Sequence, residues 1–459
     1  MIKINTGLKP ADLSSKLQRF WELSGEKIQL IEKKYDEKKG SPVFTINGKY
    51  STRGWTEWTQ GFQYGSMILQ YDATGDKNLL ETGRKKTVEV MAPHVSHMGV
   101  HDHGFNNVST YGNLLRLMKE GKISHNEWEK NFYNLALKIS GAVQASRWTV
   151  IRNGGFIHSF NGPHSLFVDT LRTCRALVLS HSLGHVFQGE NDVKINLLER
   201  AIQHMRATAD YAVYYGEGRD SYDVRGRTAH ESIFNTKDGN FRCPNSQQGY
   251  TGFTTWTRGL AWAMCGYAEE LEWLQTCPAA ELQNFGGKES IHAFMLRAAK
   301  ATCDFYIEHT PTDGIPYWDT GAPELHRIED HLNRPADPYN AFEPVDSSAA
   351  AIAAQGLLRL GKFLGSTDAE IAKRYWQAGL TVLNTLLQEP YLSTHSQHQG
   401  LILHSIYHRP NGWDHIPDGS KIPNGESSMW GDYHAREAAL YLDRINRNEK
   451  YYTFFNCLS

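Results

Sequence analysis

Apolar residues return every three or four positions along most of the chain, at the period that gives a helix one buried face. The pattern marks segments near 12–34, 57–73, 77–92, 105–120, 126–145, 165–187, 193–214, 255–274, 288–309, 346–364, 368–388 and 431–446. Strand-like alternation is scarce, so the chain reads as all-α. Three tight turns pair helices into hairpins: Thr74-Gly75-Asp76, Gly189-Glu190-Asn191-Asp192 and Gly365-Ser366-Thr367-Asp368. In each, the Gly is expected to end one helix in the left-handed conformation while an Asp, Asn or Thr caps the next. The opposite ends of the hairpins are longer and rich in Gly, His, Trp and Asp. A ring of six inner and six outer helices would gather those loops on one face. No Pro/Ser/Gly-rich linker interrupts the pattern, and residues 1–459 read as one barrel domain.

Composition adds an aromatic excess, with 12 Trp, 22 Tyr and 19 Phe, much of it beside polar residues as in sugar-binding surfaces. The 48 basic and 50 acidic residues are mixed along the chain and sum to −2, which offers no field for nucleic acid or an anionic membrane. Apolar runs such as Ala349 to Leu360 fall short of the roughly 18 residues that span a bilayer. Cys174, Cys243, Cys265, Cys277, Cys303 and Cys457 show no C-x-x-C pair and read as buried thiols. The opening Met1-Ile2-Lys3-Ile4-Asn5 lacks a signal-peptide core, which favours a cytoplasmic protein, or a periplasmic one if a signal has been removed.

The densest chemistry lies in Gln248-Gly249-Tyr250 and Trp256-Thr257-Arg258-Gly259-Leu260-Ala261-Trp262, where a loop enters a helix. Indoles stack on sugar rings, an amide binds hydroxyls, and a guanidinium fork matches a carboxylate. That set suits an acidic carbohydrate. Arg258 has a second reading, as the partner of an acidic residue that holds the helix. Two aspartates open helices: Asp102, in His101-Asp102-His103-Gly104-Phe105, and Asp169, in Phe167-Val168-Asp169-Thr170-Leu171. Either could be an N-cap. Burial of Asp169 among apolar neighbours would instead raise its pKa, as a general acid near neutral pH requires, and a protonated and an ionised carboxyl are the usual pair of glycosidic chemistry. His230-Glu231 reads as a ligand or a loop. The stretch His326 to His331 has no recognised metal spacing and reads as solvated.

These motifs, with Trp58-Thr59-Gln60-Gly61-Phe62, Pro316-Tyr317-Trp318-Asp319, Asp346-Ser347-Ser348-Ala349-Ala350-Ala351 and Trp430-Gly431-Asp432-Tyr433, resemble in order and spacing the unsaturated glucuronyl hydrolases, glycoside hydrolase family 88, from about Trp55 to Leu442. The resemblance implies an (α/α)6 barrel. It also implies hydrolysis of a 4,5-unsaturated uronic acid from the non-reducing end of lyase-generated oligosaccharides, by hydration of the vinyl ether. Asp169 would be the general acid and base, and Asp102 its partner, keeping Asp169 protonated by like-charge repulsion. His101, His230, Gln248, Trp256, Arg258 and Trp262 match substrate-contacting positions, and Trp58, Phe62 and Trp430 an aromatic wall. Protonating a vinyl ether needs only a carboxylic acid, so neither a cofactor nor a metal is expected.

The chain departs from the family pattern at Gln63, at Arg172-Thr173 in place of Met-Asn, at Leu260 in place of Gln, and in the long stretch Thr320 to Pro344. Alternatives are a family 105 unsaturated rhamnogalacturonyl hydrolase, a sugar epimerase relying on paired His, or a non-catalytic oligosaccharide-binding barrel. Retention of both aspartates argues against the last.

Overall fold

A computed structural model describes residues 1–53, 57–450 and 452–455. Twelve helices among these residues build the barrel. In chain order they are α1 (Ser14–Lys34), α2 (Gln60–Thr74), α3 (Lys77–Val90), α4 (His103–Asn107, a π turn and Asn113–Lys119) and α5 (Glu127–Ser146). After α6 (Thr170–Thr173 and Arg175–Ser182) come α7 (Leu197–Tyr211), α8 (Thr257–Thr276), α9 (Gly287–Glu308), α10 (Ser347–Leu364), α11 (Ala369–Leu386) and α12 (Met429–Asn446). The fold is an (α/α)6 barrel, and each of the twelve segments marked by periodicity overlaps one of these helices.

Burial sorts the helices into two rings. Even-numbered helices are covered almost all round, as in α8, where every residue from Thr257 to Leu274 is buried. Odd-numbered helices bury one stripe, as α1 does with Leu17, Phe20, Trp21, Ser24, Ile28 and Ile31, and turn charged residues outward. Short connections run from inner to outer helices at one end. Long ones run from outer to inner at the other end, and they carry the site. α12 packs on both α2 and α10, closing the ring.

Of the three expected turns, the first has the expected form. Gly75 is left-handed (φ 78°) and Asp76 accepts hydrogen bonds from the Asn78 and Leu79 amides. In the second, a small hairpin, Phe187–Gln188 with Lys194–Ile195, lies between α6 and α7, and it is Asn196 rather than Asp192 that caps α7. In the third, Asp368 caps α11, but Gly365 is right-handed (φ −53°) because the chain tightens through a further turn first.

Short strands sit in the long connections. One sheet matters to the site: β1 (Ser165–Phe167) pairs antiparallel with β2 (Glu231–Phe234), which pairs with β3 (Phe241–Asn245). Cys243, on β3, is exposed, contrary to the expectation of a buried thiol, because it lies on an edge strand facing solvent. Cys457 and Trp55 lie outside the described residues. Among the described residues, no helix is long and apolar enough to cross a membrane.

Candidate active site

Two close approaches set the spacing of the aspartates. A Cβ on Gly104 would stand 2.3 Å from the Thr173 carbonyl oxygen, so only glycine lets the start of α4 lie against α6. The Gly104 carbonyl in turn accepts from Arg175 Nε at 3.0 Å. β1 ends just before Asp169, and the Val168 amide donates to the His230 carbonyl at 2.9 Å, which places His230 beside Asp169. Asp102 and Asp169 both occupy N-cap positions, yet neither side chain makes a capping bond. Their carboxylates are therefore available to the pocket.

His101 joins them. Its Nε2 lies 3.3 Å from Asp169 Oδ2 and 3.8 Å from Asp102 Oδ1, with all three side chains buried. Burial lowers the pKa of an imidazole, but the Asp102 charge and the Asp169 hydrogen bond outweigh it and hold His101 above its ordinary value. Burial raises Asp169, yet the hydrogen bond and charge of His101, with His230 behind, bring it below the usual carboxylate range. Asp102 is raised by burial, with the Asp169 charge acting in the same direction against His101. In the free site the two carboxyls are thus ordered opposite to expectation, because the imidazole sits closer to Asp169.

His230 is fixed by its loop. Its Nδ1 accepts from the Gln247 and Gln248 amides at 2.9 and 3.2 Å, so the ring proton is on Nε2, which points at Asp169 Oδ1 from 3.9 Å. Burial lowers its pKa to about 4, keeping it neutral near pH 7.

A pocket open to solvent lies above these groups, with about 690 Å³ between its walls including that opening. His101, Asp102 and Asp169 form its floor, Trp58, Phe105, Trp256 and Trp262 one side, and Gln247, Gln248 and Phe160 another. A third wall, Tyr407, His408 and Trp413, was not anticipated from the sequence. Asp414 accepts from the Tyr407 and His408 amides and shapes that loop.

No protein-family model matches the chain. An unsaturated glucuronyl hydrolase of Bacillus sp. (strain GL1) is 27% identical over 412 residues, 87% of this chain and 89% of that protein. Its crystal structure superposes with a TM-score of 0.68 over 94% of this chain and 98% of that one, at 22% identity. One from Formosa agariphila is 25% identical over 385 residues, 83% of this chain and 79% of that protein. The chain is a relative of the unsaturated glucuronyl hydrolases. A variant of the unsaturated glucuronyl hydrolase from Streptococcus agalactiae, complexed with dGlcA-GalNAc6S, superposes with a TM-score of 0.61 over 95% of this chain and 92% of that one, at 19% identity.

Not every position matched to unsaturated glucuronyl hydrolases reaches the pocket surface. Phe62 is buried behind it against Phe105, Tyr433 and His434. Trp430 backs Trp58 at 5.1 Å and donates to Ser348 Oγ at 3.0 Å. His230 stands behind Asp169 and the Gln247-Gln248 turn. Arg258 borders the pocket, but its terminal N–H groups are taken. Nη1 donates to Asp346 Oδ2 at 2.9 Å and to the Ile406 carbonyl, and Nη2 to Gln248 Oε1 at 3.0 Å and the Tyr407 carbonyl at 2.7 Å. Trp256 and Trp430 sandwich the guanidinium. Such a group ties α8, α10 and the third wall together, which is the second of the two roles open to it from the sequence. By accepting from Arg258, Gln248 Oε1 is held toward the guanidinium, which leaves its second lone pair and the amide NH2 for a ligand.

Proposed function

We propose that the pocket takes a 4,5-unsaturated uronic acid at the non-reducing end of a lyase-generated oligosaccharide and releases it by hydrating the vinyl ether. The observation that carries this reading is the meeting of Asp102, Asp169 and His101 on the floor of an indole-walled pocket, in a chain related over most of its length to unsaturated glucuronyl hydrolases.

The 3.3 Å contact lets one proton be shared between His101 and Asp169. The form with the proton on Asp169 lies one transfer away from the ion pair of the free site. Asp169 then delivers it to C4, and positive charge develops at C5 and the ring oxygen. Ionised again, Asp169 takes a proton from the water that adds at C5, and the resulting hemiketal opens to release the leaving sugar. Asp102, on the same floor, holds ring hydroxyls, and the indoles exclude bulk water so that the charges act through a poorly screening medium.

The test is a panel of lyase-generated disaccharides, followed by loss of the unsaturated-uronate absorbance in the ultraviolet. Wild type should consume at least one of them. Asp169→Asn should lower kcat by about 10²-fold or more with substrate still bound, and Asp102→Asn nearly as much. Near-normal turnover by the Asp169 variant on an authentic substrate would remove Asp169 from the role of acid.

A further inference from the structure

The three floor groups meet a geometric condition that proton transfer does not demand. One ligand atom each from His101, Asp102 and Asp169 lies within 4.8 Å of the other two. In a tetrahedral zinc site with bonds of about 2.1 Å, neighbouring ligand atoms stand roughly 3.4 Å apart. His101 Nε2 is 3.3 Å from Asp169 and 3.8 Å from Asp102, so two edges of the trio already stand near that spacing, and the third, Asp102 to Asp169, is within 4.8 Å and must close to meet it. The fourth corner faces the pocket. Two carboxylates and a neutral imidazole also supply the two negative charges that balance a dication.

A second observation is independent of that spacing. His230 is 1% exposed, its Nε2 has no hydrogen-bond partner, and it is aimed at Asp169 Oδ1, which also has none. With the proton fixed on Nε2, His230 cannot itself ligate. It is the outer-shell donor that would steady Asp169 once the other carboxylate oxygen is drawn onto a cation. His101 Nδ1, by contrast, has no acceptor among the described residues, so that ring lacks the anchoring of a dedicated metal ligand.

We propose that His101, Asp102 and Asp169 form an inhibitory site for a divalent first-row cation, with zinc the best fit. The ion occupies the lone pairs on which protonation and water activation depend, and it leaves when chelated. Binding stands on the geometry alone. Inhibition rests on the hydrolase reading above.

Isothermal titration of ZnCl2 into chelator-stripped protein should show one site per chain. Asp102→Asn and Asp169→Asn, checked for native circular dichroism, should each weaken it at least tenfold, while Cys243→Ser should leave it unchanged. Zinc should inhibit hydrolysis by the wild type, and EDTA should restore it in full. Absence of a site, or wild-type affinity in either Asn variant, overturns the proposal. Activity that is lost in EDTA and returns with metal overturns its inhibitory sense. A wild type that binds zinc through these residues but hydrolyses none of the disaccharides would count against the function and leave the cation site standing.

Discussion

His101 sets the pH behaviour of the site. Its pKa is raised and that of Asp169 lowered, so the shared proton is held below the raised imidazole value and lost as pH rises through it. kcat/KM should therefore fall on the alkaline side, and His101→Gln should move or abolish that limb; an unchanged profile would remove His101 from the proton path. Arg258 calls for a different readout. Lys in its place keeps the charge but cannot hold Asp346, Gln248 and two carbonyls at once, so stability should drop by about 3 kcal/mol and KM should rise, as Gln248 and the 406–408 backbone relax. A raised KM with an unchanged melting temperature would favour direct contact with substrate. The sequence displayed Arg258 and both of its chemical options, but the choice depends on Asp346, 88 positions away. Tyr407, His408 and Trp413 escaped notice because they lie in a polar stretch without periodicity, held by Asp414 through bonds to backbone rather than by any pattern of side chains.

Elements were legible where one face is buried. The outer helices follow from that buried stripe, while the inner ones, covered almost all round, stand out as long apolar-rich runs between polar loops. The sheet that presents Asp169 was not legible, because strands of three to five residues carry too few alternations to register. Contact between α4 and α6 shows how an element controls the chemistry. Gly104→Ala puts a methyl group into the Thr173 backbone, which should cost about 1–3 kcal/mol and move Asp102 relative to Asp169. Turnover should fall by about 10-fold or more while helical circular dichroism persists, since misplacement by about 1 Å costs up to 10²-fold. Normal turnover would show that this approach does not set the carboxylate spacing.

At the scale of the molecule, the inner ring encloses charge as well as apolar side chains. Arg172, one of the departures from the related family's pattern, crosses the interior to pair with Glu269 at 2.9 Å and Glu437 at 2.8 Å, linking α6, α8 and α12. Arg172→Met fills the volume but leaves Glu269 and Glu437 with the longer Arg175 contacts, at 3.7 and 3.8 Å, at a cost of about 3 kcal/mol. One continuous core joins all twelve helices, so the loss should appear as a lower midpoint of a single calorimetric transition. A separate early transition would mean that α6, α8 and α12 unfold apart from the rest.

Closure of the ring by α12 also has a consequence for how the chain is made. Synthesis passes α2 and α10 before α12, so both must wait with their flanks uncovered until residues 429–446 clear the ribosome. The third wall, at 407–413, and the indole behind Trp58 arrive in the same late stretch. A stalled nascent chain lacking α12 would display the apolar edges that chaperones recognise and would have no assembled pocket. The helix that closes the ring is thus the timer for the assembly of the pocket.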